Sequence, residues 1–182
     1  MDTHQAEEQL FADTLYNALT LPLMLDAQPP ATLTGTELRL RAIALVEDSR
    51  SDEGEERSEN SPALHRLEAK LDLVLALCAG LIAQQRPPLL SVPVRWSARG
   101  LCVEWPDSAA SVARPAAITL QVADWLPDPI QLPVTLLASE KAVGHTRLWL
   151  GFEPLGEGLQ TALERHVFRV HRRQVASHRR QR

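Results

Sequence analysis

The sequence predicts an α+β protein, with helices in its first half and an antiparallel β-barrel or sandwich closed by a helix in its second. Three observations carry this. Residues 62–86 place apolar side chains at heptad spacing, five short β-patterned segments lie between residues 89 and 152, and an amphipathic stretch follows from about Gly158. Helix-period and strand-period segments that are segregated along a chain, rather than alternating, indicate α+β organisation.

The first element predicted is a helix within residues 1–20, where Leu10, Phe11, Leu15 and Leu19 recur near the 3.6-residue period and acids come early. Residues 21–30 follow, and Leu21-Pro22-Leu23-Met24-Leu25 reads as an edge strand, because proline is tolerated there and breaks a helix. The helical region spans 35–86. Its first helix, 35–50, takes Thr36 as N-cap and Leu38, Ala42, Leu45 and Val46 as its apolar set. Residues 47–61 lose the pattern and carry a run of acids, as a solvated linker does. Ser61-Pro62 then restarts a helix, serine as cap and proline at the first helical position.

With Leu64 at position a, the a and d positions read Leu64, Leu67, Leu71, Val74, Cys78 and Leu81, the 3–4 alternation of a left-handed coiled coil. The flanking positions begin polar, with Glu68 and Lys70, and turn apolar with Leu75, Leu77 and Ile82. A face that widens from a/d to g–a–d–e exceeds what a two-stranded coil covers. Each leucine left in water forgoes about 1.5–3 kcal/mol of burial. The expectation is a homo-oligomer, a tetramer first, with Leu64, Leu67, Leu71, Val74, Leu75, Cys78, Leu81 and Ile82 at the interface. The competing reading is a single amphipathic helix packed on its own barrel.

Arg86-Pro87-Pro88 ends that helix. The strands predicted after it are 89–95, 100–105, 116–125, 130–138 and 145–152. Alternation is clear in Leu101, Val103 and Trp105, in Ile118, Leu120 and Val122, and in Ile130, Leu132, Val134 and Leu136. The closing helix, about 158–174, carries Leu159, Leu163, Val167, Phe168 and Val170. The region 88–174 is thus expected to be one β-domain with its helix, and 175–182 a basic tail.

Composition bounds the function. A chain of 182 residues holds one ordinary domain plus an appendage. The total charge of −4 hides an asymmetry: residues 165–182 carry seven arginines and no acid, so the preceding 164 residues carry −11. Cys78 and Cys102 sit among apolar neighbours and are expected to be buried free thiols in a reducing cytoplasm. The apolar run 71–82 is too short to span a bilayer, and no membrane insertion is expected. The six histidines have no metal-ligand spacing, Ser97 lies in no nucleophile elbow, and there is no glycine-rich phosphate loop. Neither a cofactor nor enzymatic activity is expected.

From Leu89 onward the chain resembles the PilZ domain, a six-stranded β-barrel family of bacterial cyclic di-GMP signalling. Three pieces carry the resemblance: Trp96 to Val103, similar to the (D/N)xSxxG motif and its strand; His145 to Phe152, similar to a late strand of the family; and the closing helix. The resemblance implies a barrel whose missing first strand comes from Leu21–Leu25, with the two middle helices inserted into it. In nucleotide-binding members an RxxxR motif before the barrel grips the ligand's phosphates, guanidinium forks being suited to that task. Here Ser97 and Gly100 match, but Arg95 stands where Asp or Asn belongs, and no RxxxR precedes the barrel. The expected function is therefore that of a non-enzymatic, cytoplasmic signalling adaptor. It assembles through its heptad helices and meets protein partners of a bacterial signalling, motility or pilus system, without binding cyclic di-GMP at the degenerate motif. The alternatives are a cyclic di-GMP receptor using Arg95, Arg99 and the C-terminal arginines, and a nucleic-acid or acidic-partner binder using the basic tail.

Overall fold

The computed structural model describes residues 1–52, 62–84, 87–110, 112–123, 125–126 and 128–180. Its elements in chain order are α1 (Thr3–Phe11), β1 (Tyr16–Asp26), α2 (Thr34–Asp52), α3 (Pro62–Gln84), β2 (Leu90–Ser97), β3 (Gly100–Pro106), β4 (Ala117–Leu120), β5 (Ile130–Lys141), β6 (His145–Phe152) and α4 (Glu157–Arg180). The six strands form a closed antiparallel barrel in the order β1-β2-β3-β6-β5-β4. The α2–α3 pair is inserted between β1 and β2, which are themselves hydrogen-bonded neighbours with Leu23 opposite Leu90.

Alternation along the strands builds the core. Leu21, Leu23 and Leu25 of β1, Val92, Val94 and Trp96 of β2, and Ile130, Leu132 and Val134 of β5 are all buried in one apolar cluster. Leu159, Leu163 and Val167 of α4 and Leu40 of α2 join that cluster, so the two helices pack directly on it. At the α4 end, Trp96 meets His166 with ring centroids 5.4 Å apart, and Asn17 Nδ2 donates to the Val167 carbonyl at 2.9 Å. Burial, with Arg173 and Arg169 adding like charge, lowers the His166 pKa to about 4.

Several expectations need correction. The first helix stops at Phe11, and residues 16–20 belong to β1. Ala12 is extended and Asp13 has φ of 52°, which turns the chain out of the helix. Leu15, Leu19 and Leu21 fit an alternating strand face, and their helical spacing was a coincidence. Asp2 caps α1 through Oδ1, accepting from the His4 and Gln5 amides at 2.5 and 3.3 Å. β1 is not an edge strand, because closure gives it β2 and β4 as partners on its two sides.

Thr36 is not an N-cap. Its hydroxyl donates to the Gln131 carbonyl at 2.8 Å and accepts from the Gln131 amide at 3.2 Å, which ties α2 to β5. Of the expected linker, residues 47–52 continue α2, while 53–61, Ser61 included, lie outside the described residues. Arg86 of the expected helix stop also lies outside them. The strand expected over 116–125 is confined to Ala117–Leu120, after which Gln121 Nε2 donates to the Ala123 and Leu126 carbonyls and holds a turn. The basic segment is helical as far as Arg180, continuous with α4, and residues 181–182 lie outside the described part.

Candidate functional site

Two surfaces bear on function. One is α3. Every described side chain of this helix is exposed, and Leu67, Leu71, Leu73, Val74, Leu75, Leu77 and Leu81 are 45–62% exposed. Leu64 and Ile82, two of the expected interface residues, have side chains outside the described set. Cys78 is exposed in the single chain, which corrects the expectation of a buried thiol; Cys102 is buried. A helix this apolar, with none of its described side chains covered, does not bury its described face on its own barrel.

The other surface is the outer face of the barrel around the degenerate motif. Arg95 points outward from β2 and forms a two-pronged ion pair with Glu7 of α1; its Nη2 lies 2.6 Å from Oε2. Trp149 Nε1 donates to the same Oε2 at 2.8 Å, and the Arg95 guanidinium stacks 4.7 Å from the Phe11 ring centroid. The hydrogen bond from Arg95 holds the Glu7 carboxyl below its ordinary pKa against the opposing effect of burial, and Glu7 in turn raises Arg95. Burial raises the Cys102 thiol beside them.

The rest of the motif also serves α1. Ser97 Oγ donates to the Leu10 carbonyl at 2.8 Å and accepts from the Arg99 amide at 3.1 Å. Arg99 Nη1 donates to the Gln9 and Ala12 carbonyls at 3.3 and 3.2 Å, satisfying acceptors left over at the end of a helix. A Cβ on Gly100 would stand 2.1 Å from the Leu150 carbonyl oxygen, so the β3–β6 pairing excludes any side chain there. Ala6, Leu10 and Phe11 then pack with Cys102, Ala138 and Trp149 in a small second core outside the barrel. The structure thus brings Arg95, Ser97 and Gly100 together, and their contacts hold α1 against the sheet.

A groove of about 640 Å³ runs beside this clamp, lined by Glu7, Arg95, Glu104, Arg147 and Trp149 among others. Its charges are mutually matched. Arg147 Nη1 lies 3.3 Å from Glu140 and its Nη2 3.9 Å from Glu104, and Arg95 is held by Glu7. At the far end of α4, Arg173 pairs with Glu47 of α2 at 2.7 Å, so part of the basic segment meets the acidic helix of its own chain. Among the described residues, no group of three His, Cys, Asp or Glu could hold a metal ion, and no helix is long and apolar enough to cross a membrane.

Sequence reasoning foresaw a helix here but missed Glu7 and the packing of α1 on the motif. Glu7 and Arg95 are 88 positions apart, and no spacing rule connects them. The available signal was a negative one, since an arginine at an acidic motif position requires a counter-ion from elsewhere.

A helix-closed six-stranded antiparallel barrel with a Ser-x-x-Gly turn between β2 and β3 defines a PilZ-type domain, here interrupted by a helical insertion. Residues 40–180 match the family model described as "Atypical PilZ domain, cyclic di-GMP receptor". The chain belongs to that family. A solved structure, described as a pathogenic protein from Xanthomonas campestris with a new tetrameric PilZ domain self-assembled via an unusual helical bundle, is 42% identical. The match covers 96% of this chain and 97% of that one, with a TM-score of 0.77. YcgR from Escherichia coli, solved in complex with c-di-GMP, matches at 17% identity over 51% of this chain and 40% of that one with a TM-score of 0.40. A comparison with curated proteins gives no match.

Proposed function

We propose that this protein is a non-enzymatic PilZ adaptor that assembles as a tetramer through α3 and presents its barrels to protein partners without binding cyclic di-GMP at the degenerate motif. The observation that carries the reading is the exposure of α3. Its a, d, e and g positions hold Leu67, Leu71, Val74, Leu75, Leu77, Cys78 and Leu81, all open to water in the single chain. A contiguous apolar face of that size marks an interaction surface, and g–a–d–e width favours more than two helices around one axis. The 42% identical Xanthomonas protein, described as a tetramer built on a helical bundle, supports the same arrangement. Leu64 and Ile82 are assigned to the interface by their heptad positions.

The adaptor side of the reading draws on the clamp. Arg95 and Arg99, the guanidinium groups nearest the motif, already hold acceptors from α1, so a dianionic dinucleotide would have to displace that helix. Localisation in the cytoplasm belongs to the same proposal.

The test is solution mass by light scattering. The expected wild-type value is about four times the 20.2 kDa of one chain, and Leu71→Asp with Leu81→Asp should reduce it to the single-chain mass. A monomeric wild type sinks the reading. Calorimetric titration with cyclic di-GMP should show no saturable heat; micromolar binding abolished by Arg95→Ala would restore the receptor reading.

A further inference from the structure

α4 is longer than its contacts with the barrel require. Leu159, Ala162, Leu163, His166 and Val167 bury its first half. Past Val167 no described side chain of the helix is buried, yet it runs on to Arg180. Its outer face repeats every seven residues. Thr161, Phe168 and Val175 form one row, and Glu164, His171 and His178 stand three positions after them. Arg165, Arg172 and Arg179 follow one position later still. A seven-residue repeat is what two helices lying side by side share, because it returns each contact to the same face every two turns.

These rows face away from the barrel. Phe168 and Val175 lie about half a turn round the helix from the buried His166, at about 100° per residue, and are 54% and 38% exposed. Beside Val175 is a recess of about 390 Å³ lined by His171, Gln174, Val175, His178 and Arg179. The first four stand at i, i+3, i+4 and i+7, the diamond that receives one knob when helices interlock. The arginine row is uncompensated. Arg173 holds Glu47, but Arg165, Arg172 and Arg179 make no ion pair among the described residues. The apolar row decides the kind of partner. Duplex nucleic acid would take the arginines but has no use for the phenylalanine and valine between them. Two apolar side chains are too few to seat a helix in lipid. A second copy of α4 brings the same arginines and no acid after Glu164.

We propose that the outer face of α4 docks an acidic amphipathic helix of a partner protein. Its apolar side chains seat against Phe168 and Val175, and its carboxylates stand opposite Arg165, Arg172 and Arg179. The arginine row spans two heptads, about 21 Å along the axis, so the partner helix needs about four turns to meet all of it. The inference rests on the adaptor reading and names the surface on which the partner binds.

The probe is a fluorescein-labelled synthetic helix of three heptads, with leucine at a and d and glutamate at e and g. It is titrated with the full-length protein and read by fluorescence anisotropy, and saturable binding is expected. Arg172→Glu with Arg179→Glu should weaken it roughly tenfold or more. A matched peptide with lysine at e and g should bind that variant instead, a rescue that general damage to α4 would not give. Phe168→Ala keeps the charge and should also weaken binding by roughly tenfold. An unchanged affinity there reduces the contact to bulk electrostatics and overturns the helix assignment. Equal affinity for a peptide of the same composition in shuffled order overturns it too, as does tighter binding to duplex DNA or to phosphatidylglycerol vesicles. Light scattering separates this site from assembly. A tetramer that ignores the peptide removes the docking site alone, and a monomer that binds it removes the bundle alone. A mass above four chains that is lost in the Arg172→Glu, Arg179→Glu variant assigns the face to a second copy and overturns the partner. Cyclic di-GMP binding abolished by Arg95→Ala would sink the adaptor reading without altering the peptide result.

Discussion

The motif face of the barrel and the inserted α3 helix follow opposite rules. On the barrel, charged and polar side chains that a relative of this fold would direct at a ligand are directed at the protein itself. Arg95 holds Glu7, Ser97 holds the end of α1, and Arg99 holds two helix carbonyls. On α3, the side chains that normally build a core are left in water, with Leu77 and Leu81 61% and 62% exposed. The polar surface is internally satisfied and the apolar surface is not. On the proposed reading self-association is the work of the helix, and the barrels are what it gathers together.

That contrast can be broken at several points. The largest effect is expected from polar substitution on α3: Leu77→Asp should abolish the oligomer in light scattering yet leave the thermal unfolding of the barrel in place. Next comes Gly100→Ala, which forces a methyl group against the Leu150 carbonyl. It should cost about 3 kcal/mol or more in urea unfolding, from overpacking and a distorted strand pair. Acid acts through His166. Its folded pKa of about 4 lies below the unfolded value of 6.5, so the unfolded state takes up a proton first as pH falls. Stability should be intact above about pH 6.5 and decline towards pH 4, by roughly 2–4 kcal/mol in total. His166→Phe should flatten that decline in a pH series of urea midpoints. The smallest effect is expected at the clamp: Glu7→Gln should cost about 1 kcal/mol, since both partners are more than a third exposed and solvent screens the pair. The assembled mass should not change.

The sequence revealed the strands better than the joints. β6 matches the alternation read over 145–152, since turn signals bound it on both sides and one partner, β5, is its sequence neighbour. The insertion of the middle helices was legible once Leu21–Leu25 was taken as a strand. The start of β1 was not, because Leu10, Phe11, Leu15 and Leu19 satisfy a helical period by chance while the residues from Leu15 to Leu25 also satisfy a period of two. The closing helix was expected to end at about 174, and its continuation to Arg180 was missed as well. Gln174 reaches the Ala18 carbonyl at 2.9 Å and Arg173 reaches Glu47, and these long-range contacts leave no local mark. At the clamp, Arg95 was recognisable as a departure from the motif, but its counter-ion could be found only in three dimensions.

The insertion between β1 and β2 also sets a timetable. During synthesis β1 emerges complete at Asp26, but the strand paired with it over eight residues begins only at Leu90. At about 5–20 residues per second, the 63 residues between them occupy the ribosome for roughly 3–12 s. Throughout that interval the leucines of β1 have no barrel to enter, while α2 and then the leucines of α3 emerge. A chain built in this order exposes α3 before its barrel can close, so under the proposed assembly nascent neighbours on one message meet through α3 first.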